Sequence, residues 1–368
     1  MSDLPQTMRA VVLTGHGGLE KLSYREDYPT PRPGPGEVIV KVGACCLNNT
    51  DINTRTAWYS KTVTDGITVA GGQAGYASAD TDTGSWSNTP LVFPFIQGAD
   101  VAGRIAAIGA GVVPSRIGER VLIDPWLLGH GDSMDPTNAP YFGSETDGGY
   151  AEYAKIRAAN AIAIESTLSD AELATFPCSY GTAENLVARS GLLPGETVVI
   201  AGASGGVGSA AIQFCRLRGA RVIAIASAAK AEKLKALGVD TVIDRNERNL
   251  EAAIRAAAGG PVEVALDVVG GAMFKALVDA LRQGGRYSSS GAISGPVVEF
   301  DLRQLIYKDL QLTGATIVPA GTISRLARLI ERGQLKPILA ATYPLRDLAR
   351  AQEVFMTKRH VGNIAVTM

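Results

Sequence analysis

The feature that most constrains the fold is a glycine-rich loop that joins a short apolar strand to a helix. The strand is Thr197–Ala201, the loop is Gly202–Gly208, and apolar side chains follow at helical spacing. Such a turn brings backbone N–H groups and the positive end of the helix to one point, where a pyrophosphate can bind. A structural turn alone would not need the flanking strand, helix and second strand that all occur here. This context therefore predicts a dinucleotide site.

Strands and helices alternate through the same part of the chain. The predicted strands are Thr197–Ala201, Arg221–Ala226, Thr241–Asp244, Val262–Val269, Gly285–Ser290 and Leu310–Thr316. The predicted helices are Gly206–Arg218, Ala229–Leu237 and Ala272–Arg282. Several of the helices stop at a glycine, as helix C-termini often do. The alternation predicts an α/β fold, a Rossmann doubly wound parallel sheet with helices on both faces.

The preceding part of the chain has short apolar stretches separated by glycine and proline clusters. Glu37–Val42 and Glu119–Ile123 are two of the stretches, and Pro31–Gly36 is one of the clusters. This pattern is typical of antiparallel strands joined by turns.

The C-terminal part contains further apolar segments but no second phosphate loop and no further sheet alternation. We expect helices over Ser324–Arg332 and Leu345–Met356 and a strand over Val361–Thr367. Their apolar faces need a cover, which a return to the first domain would supply.

Composition excludes several other functions. Lys and Arg number 35 and Asp and Glu 36, so the net charge of -1 gives no electrostatic excess for nucleic acid or an anionic membrane. No apolar run approaches the roughly 18 to 20 residues that span a bilayer. The first ten residues show no signal-peptide pattern, and four cysteines make no disulfide framework. We expect a cytoplasmic protein with a small-molecule substrate and neither nucleic acid nor membrane as partner.

Several motifs resemble the medium-chain dehydrogenases/reductases, particularly their zinc-free quinone oxidoreductase branch. The motifs are Met8–Val12, Asn48–Asp51, Gln97–Gly103, Asp147–Tyr153, Leu193–Gly208, Lys233–Asp240 and His360–Ile364, which together span nearly the whole chain. The resemblance implies a GroES-like, mainly antiparallel β domain over residues 1–157, completed by residues 317–368. It implies a Rossmann dinucleotide-binding domain over residues 158–316, with substrate in the cleft between the domains. The expected assembly is a homodimer.

The resemblance also implies where a zinc-dependent relative would hold its catalytic metal. This sequence has Asn48, Ala99 and Cys178 there, and one thiolate cannot replace the roughly three protein ligands that catalytic zinc needs. The region of the structural zinc lobe, residues 124–149, contains no cysteine. We therefore predict no metal and interpret Cys178 as a small buried apolar residue.

The residue at the end of the second Rossmann strand decides which cofactor binds. An acidic side chain there binds the ribose hydroxyls of NAD and repels a 2′-phosphate, but this position is Ala226. Ser227 can donate a hydrogen bond to a phosphate and Lys230 can supply a positive charge, although a lysine also suits a solvated helix face. The missing carboxylate is the stronger argument, and it predicts NADP. The other expected cofactor contacts are Ser204, Gly205, Gly206, Val207, Asp267, Ser290 and Asn363.

Two neutral polar residues, Asn48 and Thr182, occupy positions where the resemblance implies contact with substrate or nicotinamide. We expect Asn48 to orient or polarise a substrate carbonyl and Thr182 to seat the nicotinamide, although an amide that ties a turn is an equally good interpretation of Asn48. Neutral donors suit conjugated carbonyl compounds, which spread the charge that hydride addition creates. The expected function is NADPH-dependent, zinc-independent reduction of a quinone, enone or enal. An enoyl-thioester reductase and a non-catalytic NADPH-binding protein are the alternatives.

Two segments leave their roles open. Phe142–Thr146 and Asn48 resemble the crotonyl-CoA carboxylase/reductase branch, but Gly314–Ile317 lacks the histidine of that branch, so the role of Glu145 is undecided. The insert from Trp58 to Val92 is rich in Gly, Ser, Thr and Asp. Loops this long are usually lids, binding loops or disordered, so a specificity lid and a surface loop are equally supported.

Overall fold

The computed structural model describes residues 4–86, 90–128 and 140–368. The strands are β1 (Thr7–Leu13), β2 (Leu22–Pro29), β3 (Glu37–Cys46), β4 (Phe95–Ile96), β5 (Asp100–Ile108), β6 (Arg120–Ile123), β7 (Tyr153–Arg157), β8 (Ala161–Ala163), β9 (Thr197–Ala201), β10 (Arg221–Ala226), β11 (Thr241–Asp244), β12 (Val262–Asp267), β13 (Leu281–Ser289), β14 (Gln311–Gly314), β15 (Leu339–Pro344) and β16 (Asn363–Thr367). The helices are α1 (Asn49–Arg55), α2 (Val69–Ala74), α3 (Asp170–Leu173), α4 (Pro177–Arg189), α5 (Gly206–Leu217), α6 (Ala231–Lys235), α7 (Leu250–Ala258), α8 (Ala272–Ala280), α9 (Leu302–Tyr307), α10 (Thr322–Glu331) and α11 (Leu348–Met356). In these three described ranges, no helix is long and apolar enough to cross a membrane.

The C-terminal half contains a six-stranded sheet in the order β11-β10-β9-β12-β13-β14. All its neighbouring strands run parallel. Strands β9 and β10 are almost entirely buried because helices cover both faces, which explains their continuous apolar sequences. This is the strand order 3-2-1-4-5-6 of doubly wound dinucleotide-binding folds, so the predicted α/β class is confirmed. The order reverses between β9 and β12, and the crevice at their carboxyl ends is where such folds bind ligands.

Several elements of this half differ from the sequence prediction: helices α7 and α9 were not predicted, and several other elements have shifted bounds. Strand β13 begins at Leu281 rather than Gly285, because Leu281 already pairs with Val262 across a register shift. Helix α6 is restricted to five residues, because residues 228–230 before it form a 3₁₀ turn.

Strand β3 organises the N-terminal half. Its first residues pair with β7, its last residues pair with β16, and its other edge pairs with β5. The closing strand β16 therefore joins a sheet in which β3, β5, β6, β7 and β8 come from the first part of the chain.

Strand β15, which pairs in parallel with β16, was not predicted. The expectation of no further sheet alternation in the C-terminal part is therefore wrong, whereas the expected closing strand is present as β16. Its exposure alternates between intermediate and exposed, as at a sheet edge. In its sequence, Leu-Ala-Ala-Thr-Tyr-Pro, only Leu339 and Tyr343 are large and apolar, which is a weak signal for that period.

Candidate functional site

A cavity of about 600 Å³ lies between the two halves of the chain. Rossmann loops and helix ends contribute Gly206, Val207, Val268, Ser290–Ile293 and Ala315–Ile317. The facing wall contains Leu47–Thr50, Asn53, Trp58, Tyr59, Trp86, Trp126, Tyr141, Cys178, Ser179, Thr182, Phe355 and Asn363. None of these described lining residues is charged. The cavity is therefore an aromatic and neutral-polar environment.

The glycine-rich loop forms the Rossmann side of this cavity. Helix α5 begins at Gly206, where a Cβ atom would lie 2.3 Å from Asn363 Oδ1. At Gly208 a Cβ would lie 2.3 Å from the carbonyl oxygen of Gly202, so this glycine permits the close packing of helix and strand. The backbone N–H of Gly362 donates to Ser204 O at 2.9 Å, which holds the closing segment against the loop. The structure thus brings Ser204, Gly205, Gly206, Val207 and Asn363 together around one helix N-terminus, a cradle that fits a pyrophosphate.

Lys230 turns towards this loop rather than lying on a solvated helix face. Its Nζ donates to Ser204 Oγ at 2.9 Å and to the carbonyl oxygen of Lys358 at 2.7 Å. Burial, followed by the charges of Arg245 and Lys233, lowers the pKa of Lys230. Ser227 is half-buried at the end of β10, at the start of the turn that carries Lys230. The side chain of Lys230 is therefore pre-positioned beside the predicted phosphate site.

Two further basic residues of this region were missed by the sequence analysis. Lys358 Nζ donates to Asn49 Oδ1 at 2.7 Å and lies 3.7 Å from the centre of the Phe355 ring. Burial and the charge of Lys230 lower the pKa of Lys358 to about 7. Burial and both lysines lower the pKa of His360 to about 4. The ammonium groups of Lys230 and Lys358 repel one another, which makes the region receptive to an anion. The run of basic residues at 358–360 was the signal available in the sequence.

Asn48 combines a structural contact at the start of α1 with a place in the cavity wall. Its backbone N–H donates to Asp51 Oδ2 at 2.7 Å, which ties the start of α1, and its side chain lines the cavity. Its Nδ2 donates to Asp100 Oδ2 at 2.7 Å, and the other carboxylate oxygen of Asp100 accepts from the backbone N–H of Cys178. Burial raises the pKa of Asp100 to about 7. Asp100 therefore fixes the Asn48 amide, and its place directly after Ala99 was an unused sequence signal.

Neutral hydroxyl and thiol groups complete the facing wall. Thr182 lines the cavity on α4, one turn after Cys178. The interpretation of Cys178 as a buried packing residue is wrong, because it lines the cavity and is only partly buried. Burial raises the pKa of the Cys178 thiol, whose other neighbours include the hydroxyls of Tyr141 and Thr182. Tyr59, which the sequence analysis treated only as part of the insert, donates to Thr50 Oγ1 at 3.2 Å and also lines the cavity.

The remaining residues with an expected or undecided role are Asp267, Ser290 and Glu145, and of these three only Ser290 lines the described cavity. Asp267 is fully buried and absent from the described cavity wall. Its carboxylate accepts from the backbone N–H groups of Val269 and Gly270 and from Tyr287 Oη, so it stabilises the loop after β12. Ser290 does line the cavity, and its buried hydroxyl has no partner among the described residues. Glu145 accepts from the Tyr141 backbone N–H at 3.1 Å and does not line the described cavity.

The donor set does not fit a catalytic zinc. At the three positions where a zinc-dependent relative would place ligands, Asn48 offers an amide, Ala99 offers no donor and Cys178 offers a thiol. In the described part of the chain no group of three or more His, Cys, Asp or Glu side chains could hold a metal. His130 lies outside the described residues.

Comparison with known proteins identifies the family. The "Alcohol dehydrogenase GroES-like domain" family matches residues 34–166, and the "Zinc-binding dehydrogenase" family matches residues 206–332. The chain is 26% identical to the acryloyl-coenzyme A reductase of Metallosphaera sedula, over 98% of this chain and 100% of that protein. It is 27% identical to the quinone oxidoreductase of Homo sapiens, over 94% of this chain and 93% of that protein. The solved structure of a candidate alcohol dehydrogenase from Sinorhizobium meliloti 1021 is 43% identical, covers 99% of this chain and 97% of that chain, and superimposes with a TM-score of 0.89. The chain thus belongs to the medium-chain dehydrogenase/reductase superfamily of oxidoreductases.

Proposed function

We propose that this chain is an NADPH-dependent, zinc-independent reductase of a small, neutral, conjugated carbonyl compound such as a quinone, enone or enal. The observation that carries this proposal is the cavity wall, which offers neutral hydrogen-bond donors and, among the described lining residues, no charged group. A buried cavity of this kind favours an uncharged ligand, because an ion would lose its hydration without gaining a partner.

The nicotinamide ring supplies a hydride when the cofactor is bound. The described residues that would hold the cofactor are Gly206 and Val207 of the loop, Ser290 and Asn363, all of which line the cavity. On the facing wall, the amide of Asn48 and the hydroxyl of Thr182 stand where they could donate to a carbonyl oxygen. Asp100 limits the motion of that amide, so little reorganisation is needed as charge develops on the oxygen.

The basic groups beside the loop support NADPH rather than NADH as the cofactor. Lys230 is held at Ser204, and Lys358 lies behind it, while Ala226 leaves no carboxylate at the end of β10. An additional phosphate would neutralise cations that otherwise repel one another. NADH offers no corresponding charge at its 2′-hydroxyl.

An enoyl-thioester reductase is the main competing function. The similarities to acryloyl-coenzyme A reductase and to quinone oxidoreductase are nearly equal, so they do not choose between these substrates. A coenzyme A thioester carries phosphates that need basic partners, and the described residues that line the cavity include none. This difference favours the free carbonyl compound.

The proposal includes a homodimer. Strand β14 is the outer strand of the parallel sheet, and apolar side chains are exposed on and near it. These are Val297, Leu302, Ile306, Tyr307 and Leu312. An exposed apolar patch at a strand edge is typical of a protein interface. Sedimentation equilibrium should give twice the mass of one chain, and a monomer at micromolar concentration would contradict this part of the proposal.

NADPH oxidation tests the function directly. Purified protein should oxidise NADPH at 340 nm with 1,4-naphthoquinone or 3-penten-2-one and much more slowly with crotonyl-coenzyme A, at equal substrate concentrations. A preference for the thioester would transfer the assignment to the enoyl-thioester reductases. NADPH binding without turnover of any of the three compounds would instead support a non-catalytic role.

A further inference from the structure

Three aromatic rings form a recess at one end of the cavity. The ring centres of Trp126 and Tyr141 are 4.9 Å apart with an angle of 74° between their planes, and those of Trp86 and Trp126 are 5.5 Å apart at 72°. Trp86 and Tyr141 are also edge to face, at 6.5 Å and 82°. The ring centres are too close together for a further ring to fit between them, so the recess is the part of the cavity that their free faces and edges line. Such faces and edges suit contact with a further planar ring.

The walls beside the aromatic recess are apolar. Ala99 and Val318 belong to the same packed cluster as Trp126 and Tyr141, with Ile317 against it. Ala99 matters here because its methyl group occupies the position where the family resemblance implies a zinc-ligating histidine in metal-dependent relatives. The polar groups of this part of the cavity, the Tyr141 hydroxyl and the Cys178 thiol beside it, are uncharged, so no ion there holds water in preference to an apolar ligand.

Trp86 comes from the insert, and several contacts hold the insert in place. Its α2 segment is tied to the first domain by Arg55, a fully buried guanidinium that donates to the carbonyl oxygen of Gly72 at 2.7 Å. Ser60 Oγ accepts from the backbone N–H of Asp80 at 3.0 Å, which joins the two ends of the loop. The described part of the insert is thus folded against the first domain, and the Trp86 side chain is positioned before any ligand arrives.

The insert also contacts the Rossmann half. The backbone N–H of Ile67 donates to the carbonyl oxygen of Ile293 at 2.7 Å, and Ile293 lines the cavity. Trp58, in the same insert, lines the cavity and donates from Nε1 to the carbonyl oxygen of Asp65 at 2.9 Å. The insert therefore crosses the cleft and limits how far a long substrate could extend past it.

We propose that the recess formed by Trp86, Trp126 and Tyr141 binds the aromatic ring of a neutral aryl-conjugated carbonyl substrate, and that Trp86 selects for this ring. The substrate class rests on the reductase proposed above, whereas the binding of a planar ring does not depend on it. A ring in the recess gains apolar burial and ring contacts, while the short chain of an acyclic enone reaches the Asn48 amide without touching Trp86.

Paired substrates test the selection. We compare 4-phenyl-3-buten-2-one with 3-penten-2-one, which share the enone and differ in the phenyl ring. Trp86→Ala should lower kcat/KM for the aryl enone about tenfold, the effect of losing roughly 1.4 kcal/mol of ring contact. The value for 3-penten-2-one should stay within about twofold, and Trp86→Phe should recover most of the loss because it keeps a ring. Val69→Ala, which shortens an exposed side chain of the same insert away from the cavity, is the matched control and should change neither value.

A binding measurement separates this proposal from the reductase function. The affinity of 2-naphthol, a planar ring that is not reduced, is measured by calorimetry for wild type and Trp86→Ala. If the wild type reduces no enone but its naphthol affinity still depends on Trp86 by about tenfold, the recess stands and the reductase proposal fails. The recess proposal is overturned if Trp86→Ala lowers kcat/KM equally for the aryl enone and for 3-penten-2-one. It is also overturned if the affinity for 2-naphthol is the same in Trp86→Ala and in wild type. Trp86→Leu, which keeps an apolar side chain without the ring, repeats the test should Trp86→Ala fold poorly.

Discussion

Removing the ammonium group of Lys230 should weaken NADPH binding by about tenfold or more and leave NADH binding nearly unchanged. The group lies beside the phosphate loop, where Ser204 Oγ and the carbonyl oxygen of Lys358 accept two of its three N–H bonds. Because these contacts already hold the side chain, a phosphate would meet the third N–H without a large ordering cost.

The magnitude follows from this geometry. A hydrogen bond to a charged partner contributes roughly 1.5 to 3 kcal/mol, which corresponds to about 10-fold to 150-fold in affinity. Lys230 is only half-buried, so solvent screens the contact and the lower end of that range applies. The effect should shrink further as ionic strength rises.

Fluorescence titration of Lys230→Ala with each cofactor measures the effect. Lys233→Ala is the matched control, because Lys233 is exposed on α6, directly after the turn that carries Lys230, and its removal deletes the same charge without the contact at Ser204. Equal affinities of the wild type for NADPH and NADH would refute the reasoning. So would an equal loss for both cofactors in Lys230→Ala, since that would place the role of Lys230 in shaping the loop.

Three further predictions concern catalysis, metal and pH. Asn48→Ala should lower kcat/KM for a good enone or quinone by more than about 100-fold, since one oxyanion donor contributes roughly 3 to 4 kcal/mol. If a normally folded variant keeps kcat/KM within twofold of wild type, Asn48 has only its role at the start of α1. The purified protein should contain no stoichiometric zinc by elemental analysis, keep its activity after chelation and oxidise simple alcohols poorly, and one zinc per chain would overturn this. Lys358 has a pKa of about 7 in the folded protein and an ordinary pKa near 10.4 in the unfolded chain. Between these two pH values the unfolded chain binds more protons than the folded protein, so this residue makes the free energy of unfolding rise with pH. In urea unfolding without cofactor, the free energy of unfolding of wild type relative to Lys358→Met should therefore increase from pH 7 to pH 10, and parallel pH profiles would contradict it.

The local elements of the Rossmann half were predictable because their signals lie within a few residues. The strand Thr197–Ala201 has the predicted bounds, and the start of α5 at Gly206 follows from the glycines before it. A buried parallel strand needs a continuous apolar run, and an amphipathic helix needs a period of 3.6 residues, so each pattern is contained in its own segment. The absence of an acidic residue at Ala226 is likewise a fact of one position.

The candidate site depended on contacts between distant positions, which no local pattern encodes. Asn48 meets Asp100 across 52 residues, and Lys230 meets Lys358 across 128. Asp267 shows the converse, because it has the position of a ligand contact at a strand end but its carboxylate satisfies the buried N–H groups of the following loop. Whether a polar group faces a ligand or a neighbouring backbone group depends on which unsatisfied partner lies within hydrogen-bond reach.

The insert shows the same division most clearly. Its length and polar composition marked it as a departure, and the sequence supported a lid and a surface loop equally. Only the tertiary structure places Trp86 against Trp126 and docks Ile67 on Ile293. The sequence by itself determined the α/β architecture, the phosphate loop and the missing zinc ligands, because propensity and residue identity are local properties. The tertiary structure decided which side chains share the cavity, because that is fixed by the packing of segments far apart in the chain.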